Sequence, residues 1–478
     1  MMQKSLAQNA LFNMLYKALT VIFPLVTVSY ISHILGASGI GQVSSAQNFV
    51  TYFTMVASLG IPTYGVRAIA KKRIHNNKKL TDEVFSELFI INACATTISL
   101  ISYIIIAAFW INCTELNIIF SSLIILNYLN IEWVYQGFEE YRYITIRSFI
   151  VKILSLCLML LLIRKPSDIE IYAIIVCFGT AGNYIFNMFR LRKYVRFTIS
   201  KLNLMQHIKP IIVLFASVLA IELYSLMDVT MLTQLTASEN VGYYSNAVKI
   251  VKMVANTFTA IGAVLLPRLS LYYAQKNNSE LEKTISDFLR VILFISIPSC
   301  LGILMVADMV VSILFGNSFM PAITTLRILT PLVIMMPLSG GVFGQLLLTT
   351  DNENKFLKSV VIGSVGNIIL NMLLIPVLAQ NGAAIASVVT EALVTILMII
   401  QCRKMANIIL DYKCLASIIF SACLMCGAII IVKNYLGVNG SLIALIIDIV
   451  VGVIFYLIGL VITKNDMITT IIDKIKRK

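Results

Sequence analysis

The chain has 478 residues, of which 59% are hydrophobic and only 13% are charged, and its mean hydropathy is +0.90. Soluble domains carry roughly 25% charged residues, so this composition excludes a soluble protein. No stretch of ordinary composition is long enough to fold as a separate soluble domain. An all-α polytopic membrane protein is therefore predicted.

Apolar runs of about 20 residues, the length that crosses a bilayer as a helix, recur from end to end and predict about fourteen transmembrane helices. Their centres lie near residues 22, 53, 97, 127, 154, 180, 222, 253, 300, 336, 367, 392, 423 and 451. The first run is as long as a full span and no cleavage site follows it, so it is interpreted as a span and not as a signal peptide. The run PLSGGVFG at 337–344 predicts a bend in one span. The nine cysteines and three histidines are scattered, so no disulfide framework, metal site or cofactor is expected.

The orientation of the chain follows from its lysines and arginines. Most of the 37 lie in one set of connections or in the membrane, while the opposite set of connections holds only Arg164, Lys165 and Lys433. By the positive-inside rule, both termini are expected on the cytoplasmic side. The net charge of +14 is then mainly a topology signal, and no nucleic-acid partner is expected. Every outward connection is short, which leaves no room for an extracellular catalytic domain, and the protein is not expected to be an enzyme.

The chain repeats itself after about 200 residues. LGASGIGQVSSA at 35–46 is similar to LTASENVGYYSNA at 235–247, so span 2 repeats as span 8. A shift of six spans keeps the two halves parallel, and such repeats in transporters enclose a central cavity. Two six-helix bundles are predicted, 1–200 and 201–410, followed by residues 411–478, which hold spans 13 and 14 and a basic cytoplasmic tail.

Polar side chains follow one face of span 8. Ser245, Lys249, Lys252, Asn256 and Thr259 are separated by steps of three and four, which is helical spacing. A charge at mid-bilayer costs at least ~2.5 to 3.5 kcal/mol, so this face is expected to line a hydrated cavity. Spans 1 and 2 carry comparable polar stripes. The candidate substrate-binding residues are Lys17, Asn48, Thr51, Lys249, Lys252 and Asn256.

Membrane-embedded carboxylates give a second interpretation of these lysines, because they can pair with them and hold spans together. They are Glu132 on span 4, Glu222 and Asp228 on span 7, Asp308 on span 9, Glu391 on span 12 and Asp448 on span 14. Glu222 and Asp228 are six residues apart and are expected on different helix faces. Glu132, Glu222 and Asp228 are also candidates for proton or sodium coupling.

An excess of cations beside hydroxyl and amide groups predicts an anionic cargo that also offers hydrogen-bonding groups. A phosphate joined to a sugar has both. The segment NIEWVYQGFEEYRYITIR at 130–147 resembles the Trp-x-x-Gln-Gly-x-Glu stretch of Wzx-type oligosaccharide flippases, with Trp133, Gln136, Gly137 and Glu139 as the matching residues. SYISHILGASGIG at 29–41, DVTMLTQLTASENVGYYSNAVKI at 228–250 and PVLAQNGAAIASVVTEA at 376–392 are similar as well.

This resemblance implies the multidrug/oligosaccharidyl-lipid/polysaccharide exporter fold, with two six-helix bundles around a central cavity and two peripheral helices. It implies flipping of undecaprenyl-pyrophosphate-linked repeat units to the outer leaflet of the bacterial cell membrane, for a surface polysaccharide such as capsule or O-antigen. The implied partners are the lipid-linked oligosaccharide, membrane lipid and the polysaccharide polymerase machinery. His33 departs from the family, because many relatives have arginine there.

Three alternatives belong to other classes of cargo or activity. Another lipid-linked cargo, such as lipid II or a teichoic precursor, fits the same charges. A multidrug exporter of the same superfamily needs an acidic or aromatic cavity, which the lysines of span 8 disfavour. A membrane-bound polymerase or ligase needs a large outward loop, which the chain lacks. No Gly-Lys dipeptide occurs, so a P-loop is excluded and alternating access without direct use of ATP is expected.

Overall fold

The computed structural model describes residues 6–74, 78–110, 114–199, 202–262, 266–350, 352–404, 411–436 and 441–468. Most side chains between residues 6 and 25, and several between 217 and 225, lie outside this description. In the described ranges the chain is almost entirely helical and contains no strand. It divides into two compact units, Met1–Thr230 and Met231–Lys478. The division at residues 200 and 410 stays a prediction.

The first unit is built from eight helices, the last of which ends just beyond the boundary. They are α1 Leu6–Ser58, α2 Ile61–Ile74, α3 Lys78–Trp110, α4 Glu115–Leu126, α5 Glu132–Gly137, α6 Tyr141–Leu162, α7 Ile169–Tyr194 and α8 Met205–Leu235. Its core lies where α2, α3 and α5 meet, around the buried rings of Phe85, Trp133 and Tyr135.

The second unit continues with nine helices and one π-helical segment. They are α9 Ser238–Gly262, α10 Leu266–Ala274, α11 Asn278–Phe315, α12 Ala322–Leu329, α13 Leu332–Met336, the π-segment Pro337–Phe343, α14 Gly344–Thr349, α15 Glu353–Arg403, α16 Tyr412–Leu436 and α17 Leu442–Ile462. Thirteen of the fourteen predicted span centres fall within these helices, and the one at residue 127 lies in a single 3-10 turn, Asn127–Leu129, that directly follows α4. The prediction of an all-α polytopic membrane protein is therefore confirmed.

Nine helices in the described ranges are long and apolar enough to cross a membrane, and two shorter apolar helices accompany them. α9 is not among the nine, because its polar stripe lowers its hydropathy. On α17 the exposed side chains form an apolar face that includes Ile443, Ile446, Val450, Val453 and Val461. Exposed apolar faces of this extent are expected where a helix contacts lipid.

α1 consists of two helices that are joined at Gly36. This residue has φ 64° and ψ −174°, a conformation that glycine adopts readily because it has no Cβ. The repeated sequence lies at a comparable junction, since α8 ends at Leu235 and α9 begins at Ser238. Both Leu-x-Ala-Ser segments therefore separate a pair of consecutive helices, which explains why the repeat is strongest there.

α15 is a helical hairpin that contains the predicted spans 11 and 12. Its backbone leaves helical geometry at Ala379, where φ is 46°. Gln401 Nε2 donates to Ser359 Oγ over 2.9 Å, and Gly366 faces Leu393. In each pair one residue precedes Ala379 and the other follows it, so the second arm of the hairpin runs back along the first.

The predicted bend at PLSGGVFG is a π-segment, Pro337–Phe343. Proline at 337 and two consecutive glycines weaken the α-helical ladder there, and π-bulges are a common cause of kinks. Ser339 Oγ donates to Glu391 Oε1 of α15. Gly341 packs against Thr259 of α9, so the bent segment touches the helix that carries the polar stripe.

A connector between α7 and α8, residues 195–204, is bound to the beginning of α3. The backbone N–H of Arg196 donates to Asp82 Oδ1 over 2.8 Å, and that of Thr198 donates to Ser86 Oγ over 2.8 Å. Glu87 then accepts from the backbone N–H of Asn203 over 2.6 Å. Polar side chains at the beginning of α3 thus bind the described residues on both sides of positions 200 and 201.

The end of this connector is fixed by a buried polar cluster. Glu87 Oε2 also accepts from Gln206 Nε2 over 3.1 Å and lies 2.7 Å from His207 Nε2. The other ring nitrogen of His207 lies 2.8 Å from the Tyr64 hydroxyl. Glu87 and His207 are both buried, so their hydrogen bonds tie α2, α3 and α8 together away from water.

Candidate functional site

The middle of the polar stripe of α9, from Lys249 to Asn256, lies on the side of the helix that its own unit leaves uncovered, whereas Ser245 is buried and Thr259 contacts the π-segment. Ala247, Val251 and Ala255 are fully buried, and α9 packs on α12, α13, α15 and the π-segment. Because these three residues recur every four positions, they define one face. Lys249, Lys252 and Asn256 project from the opposite face.

The two lysines of this stripe are accessible. Lys249 and Asn256 are exposed, and Lys252 is half-buried. Among the residues that the structure describes, neither ammonium group forms an ion pair. The stripe therefore offers two cations and an amide to a ligand, and the role of Lys249, Lys252 and Asn256 in substrate binding stays a prediction.

The comparable stripe on α1 is engaged with α8. Asn48 is buried, and its Nδ2 donates to Thr230 Oγ1 over 2.8 Å and to the Leu226 carbonyl over 3.2 Å. The hydroxyl of Tyr52 lies 2.8 Å from the same Thr230 oxygen. Asn48 thus joins two helices of the first unit, and its predicted contact with substrate is untested.

The other predicted residues of the first unit differ in their surroundings. Thr51 is half-buried and its hydroxyl donates to the Gln47 carbonyl over 2.7 Å within the same helix. Asp228 is buried and acts electrostatically on Tyr52, whereas Glu222 is exposed, as expected for two faces of α8. The side chain of Lys17 lies outside the described residues.

Glu132 is neutralised by a cation that the sequence analysis did not single out. Its Oε2 lies 2.6 Å from Nη2 of Arg147, which is 4% exposed. Arg147 also donates to Asn187 Oδ1 and lies 6.0 Å and 5.5 Å from the ring centroids of Tyr135 and Tyr143. This buried pair connects α5, α6 and α7. Whether Glu132 also couples an ion is untested.

The motif that carries the family resemblance is a packing element. Trp133 is buried against Gly65, where an added Cβ would lie 2.6 Å from the indole ring. A Cβ on Gly137 would lie 2.7 Å from Ile69 Cγ2. Gln136 of the same motif donates to Glu132 Oε1 over 3.4 Å. α5 and α2 approach so closely that only glycine fits at both contacts.

Two units of long apolar helices with exposed apolar faces define a multi-pass membrane protein. The model of the polysaccharide biosynthesis protein family matches residues 6–273, more than half of the chain. The chain therefore belongs to that family. Its resemblance to Wzx-type flippases is confirmed by this membership.

Proteins of known description are similar over different shares of the chain. A putative O-antigen transporter of Escherichia coli K12 is 24% identical over 408 residues, which are 84% of this chain and 97% of the relative. A putative O-antigen transporter of Shigella dysenteriae is 21% identical and covers 82% of this chain. A probable low-salt glycan biosynthesis flippase of Haloferax volcanii is 28% identical over 233 residues, and this alignment covers 49% of each chain.

Solved structures of a flippase and of a transporter share this fold. The inward closed lipid II flippase MurJ superposes with a TM-score of 0.77 at 14% identity, covering 96% of this chain and all of that one. The inward-facing multidrug resistance MATE transporter of the MOP superfamily superposes with a TM-score of 0.65 at 13% identity. This superposition covers 80% of this chain and 94% of that one. At these identities the likeness establishes the fold, and the predicted exporter fold is confirmed.

Proposed function

We propose that this protein moves undecaprenyl-pyrophosphate-linked oligosaccharide repeat units from the cytoplasmic to the outer leaflet of the bacterial cell membrane. The observation that carries the proposal is the exposed stripe of α9, where Lys249 and Lys252 have no carboxylate partner in the described chain. Membership in a polysaccharide biosynthesis family and similarity to O-antigen transporters support this cargo.

The chemistry of the stripe suits the head group of such a carrier. The two ammonium groups act as point charges that attract phosphate oxygens, and they do not require the fixed planar geometry of arginine. The exposed Asn256 amide can donate to and accept from sugar hydroxyls. The prenyl chain stays in lipid, and no covalent bond is made or broken, so the activity is transport.

Protein assistance is needed because the glycan cannot cross alone. Moving each uncompensated hydroxyl into hydrocarbon costs about 4 to 8 kcal/mol, and one repeat unit carries many. In the proposed alternating access, a polar face opens first to the cytoplasm and then to the outside. Both termini lie in the cytoplasm in this proposal. Once in the outer leaflet, the lipid-linked repeat unit is available to polysaccharide polymerase machinery.

Lipid II or a teichoic precursor is the alternative cargo, because each carries the same anionic linkage. Lysines favour all of these over the organic cations of a multidrug exporter. The glycan itself is not specified by Lys249, Lys252 or Asn256, since one amide and two ammonium groups bond many sugars.

The proposal is tested with purified protein in vesicles that contain a labelled lipid-linked oligosaccharide. Accessibility of the label to a membrane-impermeant glycosidase is expected to rise in protein-containing vesicles and not in empty ones. The same lipid carrier without its pyrophosphate is expected to move slowly. Equal accessibility with and without protein would contradict the proposal.

A further inference from the structure

Asp448 is a buried carboxylate that the proposed transport site does not use. It is the only charged residue of α17 and is 2% exposed. Its Oδ2 atom is buried and has no hydrogen-bond partner among the described residues. Native proteins rarely leave such an oxygen unsatisfied, so this atom indicates a site for something that the helices do not supply.

The charged groups that act on Asp448 come from the two helices that pack against α17. Lys433 of α16 and Asp308 of α11 are its electrostatic neighbours. Lys433 Nζ donates to the Met305 carbonyl over 2.6 Å and to Asp308 Oδ1 over 3.0 Å. Lys433 of α16 is therefore bonded to α11. Asp448 Oδ2 of α17 has no hydrogen bond from either helix.

The three side chains lie near one end of their helices. Lys433 is three residues before the end of α16, Asp308 is seven before the end of α11, and Asp448 is six after the start of α17. At 1.5 Å of rise per residue, these depths are roughly 5 to 10 Å. The side chain of Asp308 is 46% exposed, so the cluster is not enclosed by protein on all sides.

Charge counting shows what the cluster lacks. With both carboxylates ionised and Lys433 protonated, it has one excess negative charge, which is unfavourable beside apolar helices. A metal cation is held by several oxygen ligands at once, whereas a proton needs one oxygen. Both oxygens of Asp308 already face Lys433, at 3.0 and 3.4 Å, and one oxygen of Asp448 is unpartnered.

We propose that Asp448 is a proton-binding site that works together with the Lys433–Asp308 pair. A proton from water bonds to Asp448 Oδ2 and neutralises the cluster, and its release returns it to water without any other bond changing. In the unloaded state the nearby ammonium of Lys433 offsets the charge of Asp448 electrostatically, while its N–H groups remain on Met305 and Asp308. Loading and unloading thus change the net charge among α11, α16 and α17.

Other titratable groups on these helices do not explain the site. Thiols on the two packing helices are Cys300, Cys414, Cys423 and Cys426, and α17 itself carries Tyr456, whose hydroxyl donates to the Phe294 carbonyl over 2.7 Å. None of these groups is a cation, and the remaining lysines and arginine of the two helices, Lys283, Arg290 and Lys413, lie toward the opposite helix ends. The binding site does not depend on the proposed function, whereas its use to drive export rests on it.

The test is infrared spectroscopy of the full-length protein in vesicles across a pH series. The wild type is expected to show the carbonyl band of a neutral carboxyl group that disappears as the pH rises. Asp448→Asn is expected to lack this band, and Glu353→Gln, which removes an exposed carboxylate at the start of α15, is expected to keep it. Circular dichroism and gel filtration check that each variant is folded.

A second variant keeps the proposal testable if Asp448→Asn does not fold. Removing the nearby cation in Lys433→Gln is expected to let the band persist to higher pH, by about one to three pH units. The proposal is overturned if the band survives in Asp448→Asn, never titrates, or is unaffected by Lys433→Gln. Loss of the band on adding sodium at constant pH, with choline as the control, would assign the site to a metal cation instead. These measurements need no cargo, so a failure of flipping leaves their outcome intact.

Discussion

Lys249 and Lys252 face away from the buried side of α9, and this orientation follows from the packing of Ala247, Val251 and Ala255. A helix in an apolar environment does not keep two ammonium groups on an uncovered face without a compensating contact. Because the described carboxylates leave both lysines unpaired, we propose that water and the cargo supply this contact. Their chemistry is therefore the most direct point at which to test the proposed transport.

Removing both charges in Lys249→Ala/Lys252→Ala is expected to reduce flipping at least about tenfold, because each contact of an ammonium with phosphate contributes roughly 1.5 to 3 kcal/mol. Folding should be retained, since neither side chain is paired in the described structure. The vesicle assay measures the effect. Lys276→Ala/Lys283→Ala removes two exposed lysines of the same unit and should flip normally. Undiminished transport by the first variant would reassign the stripe to structure.

The buried pair of Arg147 and Glu132 makes a prediction about stability. Arg147→Ala leaves the Glu132 carboxylate, whose side chain is 15% exposed, without its partner and is expected to destabilise the protein by at most about 3 to 5 kcal/mol, measured as thermal unfolding in detergent. Arg73→Ala removes the comparable but exposed pair with Glu139, at 3.9 Å, and should cost less than about 1 kcal/mol. Similar losses in both variants would show that burial of Arg147 does not matter.

At the scale of elements, the approach of α5 to α2 is set by Gly137. Gly137→Ala places a Cβ 2.7 Å from Ile69 Cγ2 and is expected to destabilise the protein by about 1 to 3 kcal/mol. Gly427 lies in α16 with open space around it, so Gly427→Ala should be neutral or stabilise by up to about 1 kcal/mol. Unfolding in detergent compares the two, and truncation of Ile69 in the Gly137→Ala background should restore part of the loss.

The connector between α7 and α8 depends on Glu87. Glu87→Ala removes the acceptor of three hydrogen bonds, and it is expected to increase tryptic cleavage at Arg196 by roughly tenfold. Glu83→Ala, one turn earlier on α3, changes a side chain that is only half-buried and serves as the control. Equal protection of Arg196 in both variants would mean that the connector is held by other contacts.

At the scale of the whole molecule, hydropathy predicted the helices but not the positions at which the backbone breaks or reverses between them. Each span centre could be located because about 20 apolar residues are a local signal. The reversal at Ala379 and the break at Gly36 depend on backbone angles, and neither was placed from composition. The bend at Pro337 was predicted because proline and glycine carry a conformational signal of their own.

Polar residues could be predicted where the signal is local in sequence, and not where it depends on contacts between distant segments. The stripe of α9 was predicted from helical spacing, since positions three and four apart share a face. The partner of Glu132 was not, because Arg147 approaches it only after the turn between α5 and α6 is made. Asn48 appears equivalent to the residues of α9 in sequence, yet its amide is bound to α8. Contacts between distant segments are not encoded in the pattern of either one.

The positive-inside distribution makes a prediction about orientation. A single cysteine at Lys165 is expected to react with an impermeant maleimide added to intact cells, whereas one at Lys276 should react only after the membrane is opened. The background variant replaces all nine cysteines of the chain. Labelling of Lys276→Cys in intact cells would invert the proposed topology and with it the direction of transport.

The clasp of α3 on residues 195–207 has a consequence for biosynthesis. All its partners, from Tyr64 to His207, are synthesised before the second unit begins at Met231. At about 5 to 20 residues per second, the remainder of the chain takes on the order of tens of seconds to emerge. During that interval the first unit can leave the ribosome and form these contacts in the bilayer without waiting for the second.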